Sequence, residues 1–340
     1  MIYYSMFFLL TLAYLFLAKA YHSKIFIYVV LLFALFFSSF RYNAGSDYFS
    51  YLDIINTNYR GVEISNLILM DISNFFNFPQ FYFISTSFIY IISIIFALKK
   101  INALNYLTIF LFLFFLMSYI TSFDIIRQMV ATSLLFLSFS YLLNKKNYKS
   151  FFLILLAISF HKSAIIFIVA ILYYYLFARK EFKLYIYIFL PLIFFLFFDK
   201  IVYFISKNLN LYYHYFDVAV SNVGYKSFVI ILIFYLILIF FAKIYSVKER
   251  LFWIFFNMFF LVILLQSALL LYGYHLYRVS YLFGPFVYPS VWFLYREIPK
   301  NIKSIFLIIV FSVCLLTYFG LIYVGEDSLK GYQFYFLVED

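Results

Sequence analysis

The sequence predicts an all-α protein, a polytopic integral membrane helical bundle. Of its 340 residues, 67% are hydrophobic and 11% are charged, whereas about 25% of the residues in soluble domains are charged. Long apolar runs recur along the chain, and short clusters of Lys and Arg separate them. These observations exclude a soluble globular domain and predict a single membrane domain over residues 1–340.

Most of the apolar runs are long enough to span a bilayer, or nearly so. The first run, MIYYSMFFLLTLAYLFLA, has no basic start and no small-residue cleavage site, so it is interpreted as a membrane helix and not as a signal peptide. About 11–12 membrane segments are therefore expected. They lie at about 2–18, 25–40, 80–98, 104–121, 124–143, 151–160, 164–177, 184–198, 228–242, 251–271, 279–295 and 303–323.

The basic residues predict the topology, because positive charge concentrates in cytoplasmic loops. Six clusters in the gaps hold 16 of the 25 basic residues. All six clusters fall on one side of the membrane only if residues 151–177 form a re-entrant pair that turns at His161. If this segment crossed the membrane once, the basic residues would be divided almost equally between the two sides. We therefore expect both termini outside, with outer loops at about 41–79 and 199–227 and an outer tail at about 324–340. The clusters are Lys19 and Lys24; Lys99 and Lys100; Lys145, Lys146 and Lys149; Arg179, Lys180 and Lys183; Lys243, Lys248 and Arg250; and Arg296, Lys300 and Lys303.

Several function classes are excluded or made improbable by what the sequence lacks. The net charge of +11 is explained by membrane orientation, so no nucleic-acid partner is expected. The sequence contains no phosphate-binding loop for ATP, no dinucleotide fingerprint and no zinc motif, and we expect neither a cofactor nor a metal. A reaction on the outer face must then be driven by a bond already present in the substrate, a requirement that lipid-linked pyrophosphates meet.

Polar residues interrupt the apolar stretch 123–163 at Arg127, Gln128 and His161. Ionisable groups at membrane depth cost roughly 2.5–3.5 kcal/mol each and are usually functional. Asp124 stands three residues before Arg127 and four before Gln128, so on one continuous helix all three share a face. The alternative is an Asp124–Arg127 pair that only caps a helix end.

Two further groups of polar residues lie at predicted outer ends of spans. In the segment RYNAGSDY at 41–48, Gly45 permits a tight turn across which Arg41 and Asp47 could face one another; a weak loop salt bridge is the alternative. Arg278 lies at the entrance of a later span, where it could instead extend to the interface. Arginine's planar fork suits phosphate. Apolar residues at helical spacing in 63–76 predict a helix lying on the membrane surface.

These motifs together carry a family resemblance. The order R-Y-x-x-G-x-D-Y-x-x-Y at 41–51, Glu63, S-F-D-I-I-R-Q-x-x-A at 122–131, F-H-K-S-A at 160–164 and R-x-x-Y at 278–281 closely resembles the EpsG family. That family groups with the Wzy-type polymerases of bacterial O-antigen, capsule and exopolysaccharide. The resemblance covers about residues 40 to 295 and is strongest at the R-Q-x-x-A and F-H-K-S elements.

The resemblance implies a membrane glycosyltransferase in the bacterial cytoplasmic (inner) membrane, with its active site facing the periplasm or exterior. It would move a growing glycan from undecaprenyl pyrophosphate onto a second lipid-linked repeat unit. Donor, acceptor and bilayer are the implied partners, and a chain-length regulator is a further candidate. An oligosaccharide flippase or transporter is the main alternative, followed by a scaffold protein. The catalytic candidates are His161, Asp47 and Arg127, with His161 or Asp47 as general base; the substrate-binding candidates are Arg41, Arg278, Gln128, Tyr48, Tyr51, Glu63, Lys162 and Tyr281.

Overall fold

The computed structural model describes residues 2–102, 107–208, 225–272, 274–323 and 329–338, and it is almost entirely helical. Within these residues, six helices are long and apolar enough to cross a membrane, and five shorter apolar helices accompany them. The predicted all-α polytopic membrane fold is confirmed. The chain forms two compact units, residues 1–167 with 314–340 and residues 168–313; the expected single domain over 1–340 stays a prediction.

The first unit contains the elements that position the site. Its helices and strands are α1 (Ile2–Ala20), α2 (Lys24–Ser39), β1 (Arg41–Tyr42), α3 (Tyr48–Thr57), α4 (Ile64–Phe75), α5 (Gln80–Lys100), α6 (Leu107–Phe114), α7 (Thr121–Asp124), α8 (Ile126–Leu143), α9 (Asn147–Phe160) and β2 (Gln333–Phe334), with a π-helical segment at Phe115–Tyr119 and a 3-10 helix at Lys162–Ile166.

The second unit contains the remaining helices, of which α10 and α17 extend across the boundaries between the units. They are α10 (Phe167–Tyr173), α11 (Leu184–Ile193), α12 (Asp199–Asn208), α13 (Tyr225–Ile244), α14 (Arg250–Leu269), α15 (Tyr274–Tyr277), α16 (Val287–Glu297) and α17 (Lys300–Tyr323), with π-helical segments at Tyr174–Ala178 and Phe194–Phe198 and 3-10 helices at Leu270–Tyr272 and Arg278–Phe286. Most of the predicted outer loop 199–227 lies outside the described residues, as do 324–328 and the last two residues of the tail.

The chain's first residues and its tail meet at one end of the first unit. β1 pairs antiparallel with β2, with Arg41 opposite Phe334. Tyr332 stacks on Phe37 with ring centroids 4.4 Å apart, and Tyr4 packs on Tyr332 at 5.4 Å. We call this the loop end, because residues 41–79 lie there too. The described residues near both chain ends therefore lie beside residues 41–79, and the predicted outer position of all three stays a prediction.

Basic clusters collect at the opposite end of the first unit. The Asn144 side chain donates to the Lys100 carbonyl at 3.0 Å, and the Lys149 ammonium lies 5.7 Å from the centre of the Tyr141 ring. The turn between α1 and α2, which carries Lys19 and Lys24 at its edges, is at this end as well because the two helices run antiparallel from Tyr4 and Phe37.

The second unit gathers its own basic clusters in the same manner. Lys243 pairs with Glu181 at 2.5 Å, and Phe241 packs on Phe306 with ring centroids 5.1 Å apart, which brings the ends of α13 and α17 together. Lys303 donates to the Arg296 carbonyl at 3.4 Å. Each unit by itself therefore brings its described basic clusters close together. The predicted charge asymmetry between the two membrane faces stays a prediction.

The chain turns at His161, as the charge pattern predicts. α9 ends at Phe160, and His161 has an extended backbone (φ −156°, ψ 119°) before the 3-10 helix begins. Phe167 then packs on Phe139 with ring centroids 6.5 Å apart. Phe139 lies about three turns along α8 from Arg127, so the chain has returned toward the interior of the unit. The course of the predicted re-entrant pair beyond residue 167 stays a prediction.

Helix α4 is amphipathic with its apolar face outward. Ile64 is 60% exposed and Phe75 81% exposed, whereas Asn66, Met70 and Ser73 are buried. An outward apolar face suits the interfacial helix predicted here, because only lipid would bury those side chains. Its inward polar face brings hydrogen-bonding groups to the loop end.

Candidate active site

A break between two helices places Arg127 at the loop end. α7 ends at Asp124, Ile125 leaves helical geometry (φ −128°, ψ 57°), and α8 begins at Ile126. The break puts Asp124 and Arg127 on different helices. The Asp124 carboxylate instead accepts the Ser46 N–H at 3.0 Å. The segment is not one continuous helix, so the expectation that Asp124 shares a helix face with Arg127 is wrong.

Glu63 is the carboxylate partner of Arg127. Its Oε2 lies 2.6 Å from Arg127 Nη1. Its Oε1 accepts the Lys162 N–H at 3.3 Å and lies 3.4 Å from His161 Nδ1. One carboxylate thus joins the start of α8 to the turn after α9, although Glu63 is 64 residues from Arg127 and 99 from Lys162 in sequence.

The environment keeps Glu63 ionised. Burial is the largest influence and acts to raise the pKa of Glu63, but the nearby His161 side chain, the charge of Arg127 and a backbone hydrogen bond together lower that pKa to about 2. An ionised carboxylate accepts hydrogen bonds and donates none. Glu63 is therefore an acceptor for both neighbours throughout the physiological pH range.

Tyr51 connects Arg127 to Asp47 through two hydrogen bonds. Arg127 Nε donates to the Tyr51 hydroxyl oxygen at 2.9 Å, and that hydroxyl donates to Asp47 Oδ2 at 3.3 Å. We define Asp47, Tyr51, Glu63, Arg127 and His161 as the site cluster. All three predicted catalytic residues belong to it. The structure thus brings together five residues that lie between positions 47 and 161 of the sequence.

The inward face of α4 fixes the end of α9, and sequence reasoning missed it. The buried Asn66 donates to the Phe160 carbonyl at 2.8 Å and accepts from the Tyr82 hydroxyl at 3.1 Å. Ser65 and Ser159 hydroxyls lie 2.6 Å apart. A signal was available, because Asn66 is a polar residue on the face of α4 opposite its apolar residues.

Gly45 lets the 41–47 loop dock on the break before α8. Its φ of +99° is unfavourable for other residues, and a Cβ at this position would lie 2.0 Å from the Phe123 carbonyl oxygen. The tight turn predicted at Gly45 is confirmed. Its close approach to Phe123 also explains how the Ser46 amide reaches Asp124.

Arg41 lies apart from the site cluster. It is 2% exposed, donates to the Ser38 carbonyl, and lies between the rings of Phe83 and Phe123, 5.0 and 4.7 Å from their centres. No carboxylate among the described residues is within ion-pair distance of its guanidinium, so the Arg41–Asp47 salt bridge does not form. Tyr48 is likewise buried and stacks on Phe83 at 4.7 Å.

The remaining candidates are placed as follows. Gln128 is buried beside Arg127 on α8, and the Lys162 side chain is exposed while its amide contacts Glu63. Arg278 and Tyr281 belong to a 3-10 segment of the second unit, where Tyr281 packs edge-on against Tyr277 at 6.0 Å. The three arginines Arg41, Arg127 and Arg278 were expected to converge on one pyrophosphate site. That expectation is wrong for Arg41, which is enclosed by Phe83 and Phe123, and for Arg278 it stays a prediction.

The fold and the cluster define a class: a polytopic helical membrane protein that carries an ionised carboxylate shared by an arginine and a histidine at one end of its first unit. The chain belongs to the EpsG family, whose sequence profile matches residues 24–334. No curated protein and no solved structure matches it. The matched range contains the whole site cluster, and membership is consistent with a role in polysaccharide biosynthesis.

Proposed function

We propose that the protein is a polysaccharide polymerase of the Wzy type, a membrane glycosyltransferase. It moves a growing glycan from undecaprenyl pyrophosphate to the terminal sugar of a second lipid-linked repeat unit. The observation that carries this proposal is the site cluster, in which a partly exposed arginine and a histidine meet around one ionised carboxylate. Such a site offers a cation for a pyrophosphate and a base for a hydroxyl.

The reaction requires one bond to form and one to break. The acceptor hydroxyl oxygen bonds to the anomeric carbon of the donor sugar, and the bond from that carbon to the pyrophosphate oxygen breaks. Undecaprenyl pyrophosphate leaves with the bonding electrons, and the hydroxyl proton passes to the general base. Glycan and acceptor remain joined on the second lipid carrier.

Arg127 is suited to the departing pyrophosphate. Its side chain is 27% exposed, and its hydrogen bonds to Glu63 and Tyr51 are made by Nη1 and Nε. We propose that Nη2, which takes part in neither bond, donates to a substrate phosphate. Glu63 and Tyr51 hold the guanidinium in a fixed orientation. A preorganised donor aimed at developing negative charge is among the strongest sources of rate acceleration.

The general base is His161 or Asp47. His161 lies at the helix break with its side chain 15% exposed, and a neutral imidazole has one unprotonated nitrogen that can accept a proton. Asp47 accepts the Tyr51 hydroxyl, which commits part of its carboxylate to holding Arg127 in place. We therefore favour His161. The site is proposed to face the exterior of the bacterial cytoplasmic membrane, where a chain-length regulator is a further candidate partner.

Reconstitution tests the function directly. Purified protein in liposomes is given an undecaprenyl-pyrophosphate-linked repeat unit, and products are resolved as a ladder of chain lengths. We expect ladders from the unaltered protein and none from folded His161→Ala. Unaltered substrate that has crossed the bilayer would identify a flippase and refute the polymerase proposal.

A further inference from the structure

Glu63 contacts the two groups that the proposed chemistry uses, and its two oxygens are divided between them. Oε2 faces Arg127, whereas Oε1 faces His161 Nδ1 and the Lys162 amide. A carboxylate that only neutralised Arg127 could satisfy both oxygens at the guanidinium, since arginine–carboxylate pairs are frequently bidentate. The observed division points to a second task at His161.

The charge state of Glu63 determines which nitrogen of the His161 imidazole carries the proton. Ionised Glu63 only accepts hydrogen bonds, so the ring nitrogen that faces it must carry the proton. In a neutral imidazole one nitrogen is protonated and the other is an acceptor. A proton on Nδ1 therefore leaves Nε2 unprotonated and able to take a proton from a substrate.

The backbone around His161 is held firmly enough for this orientation to persist. The His161 N–H donates to the Ala157 carbonyl at 2.9 Å, and its carbonyl accepts the Ala164 N–H at 3.0 Å. Asn66 fixes the preceding carbonyl, that of Phe160. The distance of 3.4 Å between His161 Nδ1 and Glu63 Oε1 is longer than that of an ordinary hydrogen bond. Catalytic contacts of this kind commonly shorten when substrate binds.

We propose that Glu63 is a positioning residue that holds the Nδ1–H tautomer of His161, so that Nε2 accepts the proton of the acceptor hydroxyl. This inference rests on the proposed polymerase function for its chemical role, although the tautomer itself does not depend on activity. Glu63 would thereby couple the cation that binds the leaving group to the base that activates the nucleophile.

The tautomer can be measured without substrate. The chain contains four histidines, so protein labelled with ¹⁵N-histidine in nanodiscs gives few imidazole signals, and loss of one set in His161→Gln assigns His161. We expect the ¹⁵N shifts of its neutral form to show a protonated Nδ1 and an unprotonated Nε2. A neutral His161 with the proton on Nε2 in the unaltered protein would overturn the proposal. This test does not depend on whether the variants fold.

Variants separate positioning from structural support. Glu63→Ala should lose the preference for Nδ1–H, and ladder formation should fall by up to about 10²–10⁴-fold, the usual contribution of a positioned general base. Ser65→Ala is the matched control, because it removes a contact between α4 and α9 that lies two residues from Glu63 and two residues from His161. It should leave the tautomer unchanged. An unchanged tautomer in folded Glu63→Ala would overturn the proposal.

The two proposals can fail separately. The predicted tautomer in a protein that forms no ladders would retain the Glu63–His161 pair and refute the polymerase function. Ladders from a protein whose His161 is protonated at Nε2 would retain the function and refute the pair.

Discussion

Arg127 and Arg60 are a matched pair of arginines in the first unit. Arg127 binds Glu63 at a partly buried site, whereas Arg60 binds Asp71 at 2.7 Å with both side chains about half exposed. Exposed ion pairs contribute little. Lysine keeps the charge but loses the planar fork that meets Tyr51 and Glu63 together.

We predict that Arg127→Lys lowers the rate of ladder formation by about 10²–10³-fold, the cost of one lost donor at a comparable site, and that Arg60→Lys leaves the rate unchanged. The rate is measured in the liposome assay at equal amounts of folded protein. Equal, near-normal rates in both variants would place the pyrophosphate site elsewhere.

Glu63 also predicts a pH dependence of stability. Its pKa in the folded protein is about 2, below its ordinary value of 4.5, so its stabilising effect is fully present above about pH 4.5 and is lost as pH falls toward 2. The shift corresponds to about 3 kcal/mol, which partial exposure to solvent reduces. We expect Glu63→Gln to cost about 1–3 kcal/mol at pH 7.

The melting temperatures of the two proteins in detergent, measured from pH 7 to pH 3, test this expectation. The difference between them should be constant down to about pH 4.5 and then narrow. A difference that stays constant to pH 3 would mean that the charge of Glu63 contributes nothing to stability.

At this scale the sequence indicated which residues lie together better than it indicated which of them contact one another. Arg127 and His161 are recognisable because a polar residue in an apolar run is costly. Their shared partner, Glu63, was not recognisable as such, because the contacts span 64 or more residues. Spacing assigned Asp124 to Arg127, and that failed because no proline or glycine marks the helix break at Ile125.

At the scale of elements, the site depends on how the 41–47 loop packs against the break before α8. Gly45 allows that approach, because a Cβ there would lie 2.0 Å from the Phe123 carbonyl oxygen. Gly320, in α17, has open space around the corresponding position. The two glycines therefore give a matched test of loop docking.

We predict that Gly45→Ala destabilises the protein by at least about 2 kcal/mol, from backbone strain and the steric clash, and that Gly320→Ala is neutral or stabilises by up to about 1 kcal/mol through helix propensity. Thermal unfolding of both variants measures the difference. If Gly45→Ala melts at the unaltered temperature, the loop does not dock on Phe123 as described.

Element positions were well predicted where periodicity and charge acted together. The turn at His161 followed from the basic clusters, and the outward apolar face of α4 followed from its helical spacing. The hydrogen bond from the Asn66 side chain to the Phe160 carbonyl could not be predicted, because a contact between residues so far apart in sequence leaves no periodic signal.

At the scale of the whole molecule, the predicted topology can be tested by cysteine labelling with little background from the protein's own cysteine. The single cysteine, Cys314, is fully buried. Ser46, Lys146, Lys162 and Lys248 are exposed and can each be replaced by cysteine. The first and third lie at the loop end, and the other two lie in basic clusters of different units.

We predict that a membrane-impermeant maleimide labels Ser46→Cys and Lys162→Cys in intact cells, and labels Lys146→Cys and Lys248→Cys only after permeabilisation. The reason is that positive clusters stay on the cytoplasmic side. If Lys248→Cys were labelled from outside in addition to Ser46→Cys and Lys162→Cys, residues 162–178 would cross the membrane once instead of returning to the outer face. Labelling of Lys146→Cys from outside, with Ser46→Cys silent, would put the site on the cytoplasmic face.

The pairing of β1 with β2 has a consequence for biosynthesis. Arg41 and Tyr42 leave the ribosome about 290 residues before their strand partners at 333 and 334. At roughly 5–20 residues per second, this delay is about 15–60 s. During this delay the first helices of the nascent chain can insert into the bilayer, while β1 still lacks its partner β2. The first unit therefore cannot complete this strand pair until residues 168–313 have been synthesised.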